Sequence, residues 1–165
     1  MRKIKQEFHG FQGLTFGAID AIINVLGIVI GLSVITNRQV VLMGLLISGI
    51  ANSLGNAVGF HVSEEAEGIH TRKEVWKATI MSGSGTFVFT LILLMPLLLM
   101  EFQTALVITV AIGIELVVLL SVTIGKKLKY NSMETAKLSL EYVSICIAVI
   151  LISFSISSLI NSFIS

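Results

Sequence analysis

Residues 104–124 read TALVITVAIGIELVVLLSVTI, a run of 21 residues in which Glu115 is the one ionisable side chain. At 1.5 Å of rise per residue such a run, wound as an α-helix, spans about 31 Å, the thickness of a bilayer's hydrocarbon core. It lacks the strict polar alternation of a barrel wall, so a helix is the structure it predicts.

Four more apolar runs of similar length flank it, giving expected spans at 16–35, 40–62, 78–100, 104–124 and 138–164. The short turns between them include Glu101-Phe102-Gln103 and the basic stretch from Gly125 to Lys137. Of the 165 residues, 55% are hydrophobic and 13% charged. A soluble domain carries roughly twice that charge, and one core could not hide so much aliphatic surface. The fold expected is therefore an all-α membrane protein, a single transmembrane domain with five helices. The longest polar stretch, 63–77, leaves no room for a soluble domain. It extends the second span as a helix if Gly68 does not break it.

Lysine and arginine set the expected orientation. Arg2, Lys3 and Lys5 precede the first span; Arg72, Lys73 and Lys77 follow the second; Lys126, Lys127, Lys129 and Lys137 follow the fourth. With five spans, ten of the eleven cations fall on one side and Arg38 alone on the other. The positive-inside rule makes the crowded side cytoplasmic, which places the N-terminus in the cytoplasm and the C-terminus outside. The basic N-terminus is not followed by a short apolar stretch with a small-residue cleavage site, so the first helix is expected to stay in the mature protein. No extended basic stripe suits nucleic acid. Cys146, the one cysteine, is expected to be a buried small residue, since it has no partner for a disulfide or a metal pair.

Polar groups inside spans are costly, and they usually face the bundle interior or a water-filled path. Asp20 lies inside the first span with Asn24 one turn on, and Asn52 and Asn56 repeat that spacing in the second. Together the four can form one oxygen-bearing seam suited to a hard or borderline divalent cation. The competing reading is that the asparagines are glue between packed helices. Glu115 either stays protonated or carries protons. At the end of the second span, Glu64 and Glu65 share a helix face with His61 and could collect cations, or they belong to a solvated linker that offsets Arg72, Lys73 and Lys77. The glycine pairs Gly27/Gly31 and Gly55/Gly59 allow close helix approach and suggest a tight central unit. Ser82-Gly83-Ser84-Gly85 lacks the lysine and the strand of a phosphate loop and is read as a packing patch. No arrangement for an intramembrane enzyme is present, and the protein is expected not to be one.

The stretch from Gly17 to Leu32, GAIDAIINVLGIVIGL, resembles the first helix of the vacuolar iron transporter family. Gly49 to Phe60, GIANSLGNAVGF, is similar to that family's small-residue second helix. The resemblance implies a membrane homodimer exporting ferrous iron or manganese from the cytoplasm in exchange for protons, while the short chain without a targeting extension favours a prokaryotic cell membrane over an organelle as the expected location. It implies Asp20 as a metal ligand, with Asn52 and Phe60 standing where the family usually has a glutamate and often a methionine. The transport reading then assigns metal contact to Asp20, Asn24, Asn52, Asn56, Glu64 and Glu65, and proton coupling to Asp20 or Glu115. The ion is cargo, and no cofactor is expected. The alternative is a non-transporting scaffold or regulatory protein of the same fold.

Overall fold

A computed structural model describes residues 2–34 and 37–164, with side chains described from Gly10 onward except at Ile164. Ile35 and Thr36, at the expected end of the first span, lie outside the described residues, as do the side chains of Arg2, Lys3 and Lys5. Five α-helices follow in order: α1 (Arg2–Ser33), α2 (Arg38–Glu67), α3 (Arg72–Leu99), α4 (Phe102–Leu128) and α5 (Ser132–Ile164). All five are long and apolar enough to cross a membrane.

The helices outrun the apolar spans at several ends. The polar stretch 63–77 is mostly helical, since α2 runs on to Glu67 and α3 already begins at Arg72. Between them Gly68 adopts φ +67°, a left-handed conformation that suits glycine and ends α2. Thr71 and Glu74 then start α3 with a capping box: the Thr71 N–H donates to Glu74 Oε2 at 2.9 Å, and the Glu74 N–H donates to Thr71 Oγ1 at 3.4 Å. Asn131 and Glu134 repeat the device at α5, with reciprocal bonds of 2.8 and 2.9 Å. Such caps satisfy N–H groups that the first helical turn cannot.

The chain divides into two compact units, Met1–Ala21 with Leu46–Ile92, and Ile22–Leu45 with Leu93–Ser165. In the first, α1 and α3 approach through glycine. A Cβ at Gly13 would stand 2.3 Å from Ala78 O, one at Gly17 2.1 Å from Ser82 O, and one at Gly85 2.7 Å from Leu14 O. Ser82, Gly83 and Gly85 are buried, so the Ser-Gly repeat is a packing patch. In the second unit, α4 buries Ala105, Thr109, Gly113, Val117, Ser121 and Gly125, every fourth residue and all small or medium. Leu26 fills the space that Gly113 leaves. Cys146 is buried here.

The glycine pairs noted in the sequence do not form one central unit. Gly27 and Gly31 meet Val149, Ser153 and Ser157 of α5, and Ser157 donates to the Gly31 carbonyl. A Cβ at Gly55 or Gly59 would meet nothing within 4 Å. The close approach of α1 and α3 within the first unit falls to Gly13 and Gly17, a pair at the same spacing, together with Gly85. Arg38 has a local task in the second unit: its Nε and Nη2 donate to Leu97 O at 2.8 Å and Leu98 O at 2.7 Å. These carbonyls end α3 and have no partner in the next turn, so a guanidinium fork satisfies them.

Candidate functional site

The polar residues of the first unit gather at mid-helix. Asp20 stands ten residues from the start of the first apolar helical stretch, Gly10–Ser33, and Asn52 and Thr86 stand fourteen residues into α2 and α3. At 1.5 Å per residue these offsets are about 15 and 21 Å, near the centre of a bilayer-crossing helix.

Asp20 Oδ2 accepts two amide hydrogen bonds, from Asn52 Nδ2 at 2.5 Å and Asn56 Nδ2 at 2.7 Å. The spacing of four residues puts both amides on one face of α2, so both reach one carboxylate oxygen. Asn56 Nδ2 also donates to Thr86 Oγ1 at 2.8 Å, and the Thr86 hydroxyl in turn donates to Ser82 O at 3.1 Å. Close by, Ser53 Oγ donates to Gly83 O at 2.6 Å, and Ser82 Oγ donates to Asn56 O at 3.4 Å. Asp20, Asn52 and Asn56 are half-buried, while Ser82 and Thr86 are fully buried. Three helices are thus joined by a polar seam with a carboxylate at one end.

One turn away on both helices, Phe16 and Phe60 pack at a ring-centroid separation of 5.3 Å and an interplanar angle of 49°. Phe16 precedes Asp20 by four residues and Phe60 follows Asn56 by four, so the rings flank the seam on the side of the α2 C-terminus. Thr86 and Phe16 are not among the residues expected at this site. A hydroxyl every fourth residue along α3 (Ser82, Thr86, Thr90) was the available signal for Thr86. Phe16 had no signal, since one aromatic in an apolar run is ordinary.

Asn24 stands one turn beyond Asp20 on α1, half-buried and within the second unit. Glu64 and Glu65 lie eight and nine residues beyond Asn56 and diverge. Glu64 is turned inward, 2% exposed, with its Oε2 2.8 Å from His70 Nδ1. Glu65 is exposed and lies 3.3 Å from His61 Nε2, while His61 Nδ1 is 2.8 Å from Thr79 Oγ1. His61, Glu64 and Glu65 therefore do not share one cluster. Two histidines divide the carboxylates between them, and Trp76 packs edge-on to His61 at 4.7 Å. Glu115 is on the exposed side of α4, opposite the small buried residues, and belongs to the second unit. Among the described residues no group of three or more His, Cys, Asp or Glu side chains is placed to hold a metal ion. The seam holds one carboxylate, and its remaining oxygens come from amides and hydroxyls.

Fold and composition define the class: an all-helical integral membrane protein with five helices able to span. The chain is similar to the uncharacterized protein MJ0645 of Methanocaldococcus jannaschii, with 27% identity over 158 residues covering 79% of this chain and 83% of the relative. No family model matches the chain, and no solved structure does.

Proposed function

We propose that the protein is a transporter of divalent transition-metal ions, iron or manganese, in which Asp20 is the central ligand and protons move in exchange. One observation carries this reading: a carboxylate held at mid-span on two amides of the neighbouring helix. A carboxylate there is expensive, and lone interhelical bonds contribute only about 0.6–2 kcal/mol in membranes, which neutral side chains can supply as well. A charge-bearing group at that depth fits cargo better than cohesion.

The amides show how a cation would be accommodated. Asn52 and Asn56 both present N–H to Asp20. The terminal amide torsion is broad and two-fold, so a half-turn brings Oδ1 to where Nδ2 was. A divalent ion at Asp20 Oδ2 would thus meet two neutral oxygens in place of two donors, with no movement of helices. Protons and cations compete for the same carboxylate oxygen, and that competition is the basis of exchange. A site near the middle of the helices suits alternating access. Glu64 and Glu65, on separate histidines at the end of α2, would draw ions to that end. The distribution of cations supports a cytoplasmic N-terminus and an outer C-terminus. The open Gly55/Gly59 face of α2 supports a homodimer, and a prokaryotic cell membrane is the expected location.

The test is uptake of Fe²⁺ or Mn²⁺ into proteoliposomes under an imposed pH gradient, comparing the natural chain with Asp20→Asn. Loss of uptake with an intact fold supports the reading, and equal uptake removes Asp20 from the mechanism. A second reading, a non-transporting membrane scaffold, is favoured by the seam's closure on itself: Asp20 already has two donors, as a structural latch would. Thermal unfolding in detergent separates the two, because a latch has no reason to be stabilised by Mn²⁺.

A further inference from the structure

The hairpin of α4 and α5 holds a cleft of about 410 Å³, lined by Val122, Lys126 and Tyr130 on one side and by Ser132, Thr135, Ala136 and Ser139 on the other. Val122, Lys126 and Tyr130 are four residues apart, with Tyr130 folded back so that its N–H reaches Gly125 O at 2.9 Å. On α5, Ser132, Thr135, Ala136 and Ser139 repeat at helical spacing and share a face. The polar lining is one ammonium and four hydroxyls, with no carboxylate. Glu134, the nearest acid in sequence to Thr135, is turned to the cap, bonded to the Asn131 N–H. Ser139 Oγ spends its proton on Thr135 O at 3.0 Å and offers lone pairs only. The remaining donors, Lys126 above all, select an anion.

The level of the cleft selects the source. The apolar run of α4 stops at Ile124 and that of α5 starts at Leu138, so Lys126, Tyr130 and Ser132 stand where hydrocarbon gives way to headgroups. Tyrosine is enriched at that level, and basic pockets between membrane helices bind anionic headgroups. Val122 and Ala136 supply an apolar floor for the start of an acyl chain. The geometry points to a binding site for the phosphate of an anionic phospholipid, with Lys126 as its charged ligand and the Tyr130, Ser132 and Thr135 hydroxyls beside it. The site is independent of the Asp20 seam and of any transport.

The test uses the full chain in a neutral detergent, with phosphatidylglycerol, phosphatidylcholine or inorganic phosphate added separately. Retained lipid is read by native mass spectrometry, and stability by the thermal unfolding midpoint. Phosphatidylglycerol should be retained and should raise the midpoint, whereas phosphatidylcholine and inorganic phosphate should not. Lys126→Gln should weaken phosphatidylglycerol binding about fivefold, the loss of one lysine at an anionic surface, and Lys126→Arg should restore it. Ala136→Leu, which fills the cleft without changing charge, should weaken it too, and Lys137→Gln, outside the lining, should have little effect. Equal retention of the two lipids would overturn the proposal. So would stabilisation by phosphate alone, an effect of Lys137→Gln as large as that of Lys126→Gln, or full binding by Ala136→Leu.

Discussion

Asn52 Nδ2 lies 2.5 Å from Asp20 Oδ2, so residues 32 positions apart share a hydrogen bond at the middle of two membrane-length helices. The bond is made with the amide nitrogen, and Asn56 does the same to the same oxygen. Helix spacing brings the donors to one place, and the carboxylate decides which end of each amide faces it.

Asp20→Asn is the most direct perturbation. The substituted amide can still accept one bond through Oδ1, so the protein should fold with an unfolding midpoint within a few degrees of the natural chain. Metal uptake should fall to the level of empty liposomes. Asp20→Ala removes both acceptors and should cost about 1–3 kcal/mol of stability as well. Uptake and detergent unfolding, measured on the same preparations, check both.

Asn56 makes two side-chain bonds to other helices and Asn52 one to Asp20. Asn56→Ala should therefore destabilise the fold more than Asn52→Ala, by about 0.5–1.5 kcal/mol. Combining Asn56→Ala with Thr86→Val should cost less than the sum of the two, because they share one bond. Equal single effects with full additivity would show that the Thr86 bond carries no energy.

Glycine substitutions separate packing within the chain from association between chains. Gly17→Ala drives a methyl into the Ser82 carbonyl and should destabilise by about 1–3 kcal/mol. Gly55→Ala meets open space and should leave the monomer as stable or slightly more so. If a second copy packs on that face, Gly55→Leu should shift the dimer toward monomer. Sedimentation in detergent reads that outcome directly.

Arg38→Gln removes the guanidinium fork from the last carbonyls of α3. A charged donor at a helix C-terminus is worth about 0.3–2 kcal/mol, so resistance to unfolding by SDS should drop by an amount in that range. Metal uptake, if Asp20 carries it, should be unaffected.

Five helices were legible without a structure, because each apolar run is long enough to need lipid and each turn carries charge. Gly68 as a breaker was legible too, as were the four-residue spacings that put Asp20 with Asn24 and Asn52 with Asn56 on single helix faces, since backbone freedom and helical periodicity are local properties. Which glycines mediate close packing was not. Gly13/Gly17 and Gly27/Gly31 look alike in sequence, and only the neighbouring helix shows that one pair meets α3 and the other α5. The same holds for Glu64 and Glu65, adjacent residues that helix geometry sends about 100° apart to different histidines. Chain chemistry alone determined that this protein crosses a membrane and carries a carboxylate there. Three-dimensional packing decided what that carboxylate touches, because contacts between residues 30 or more positions apart depend on helix rotation and register, which no single helix encodes.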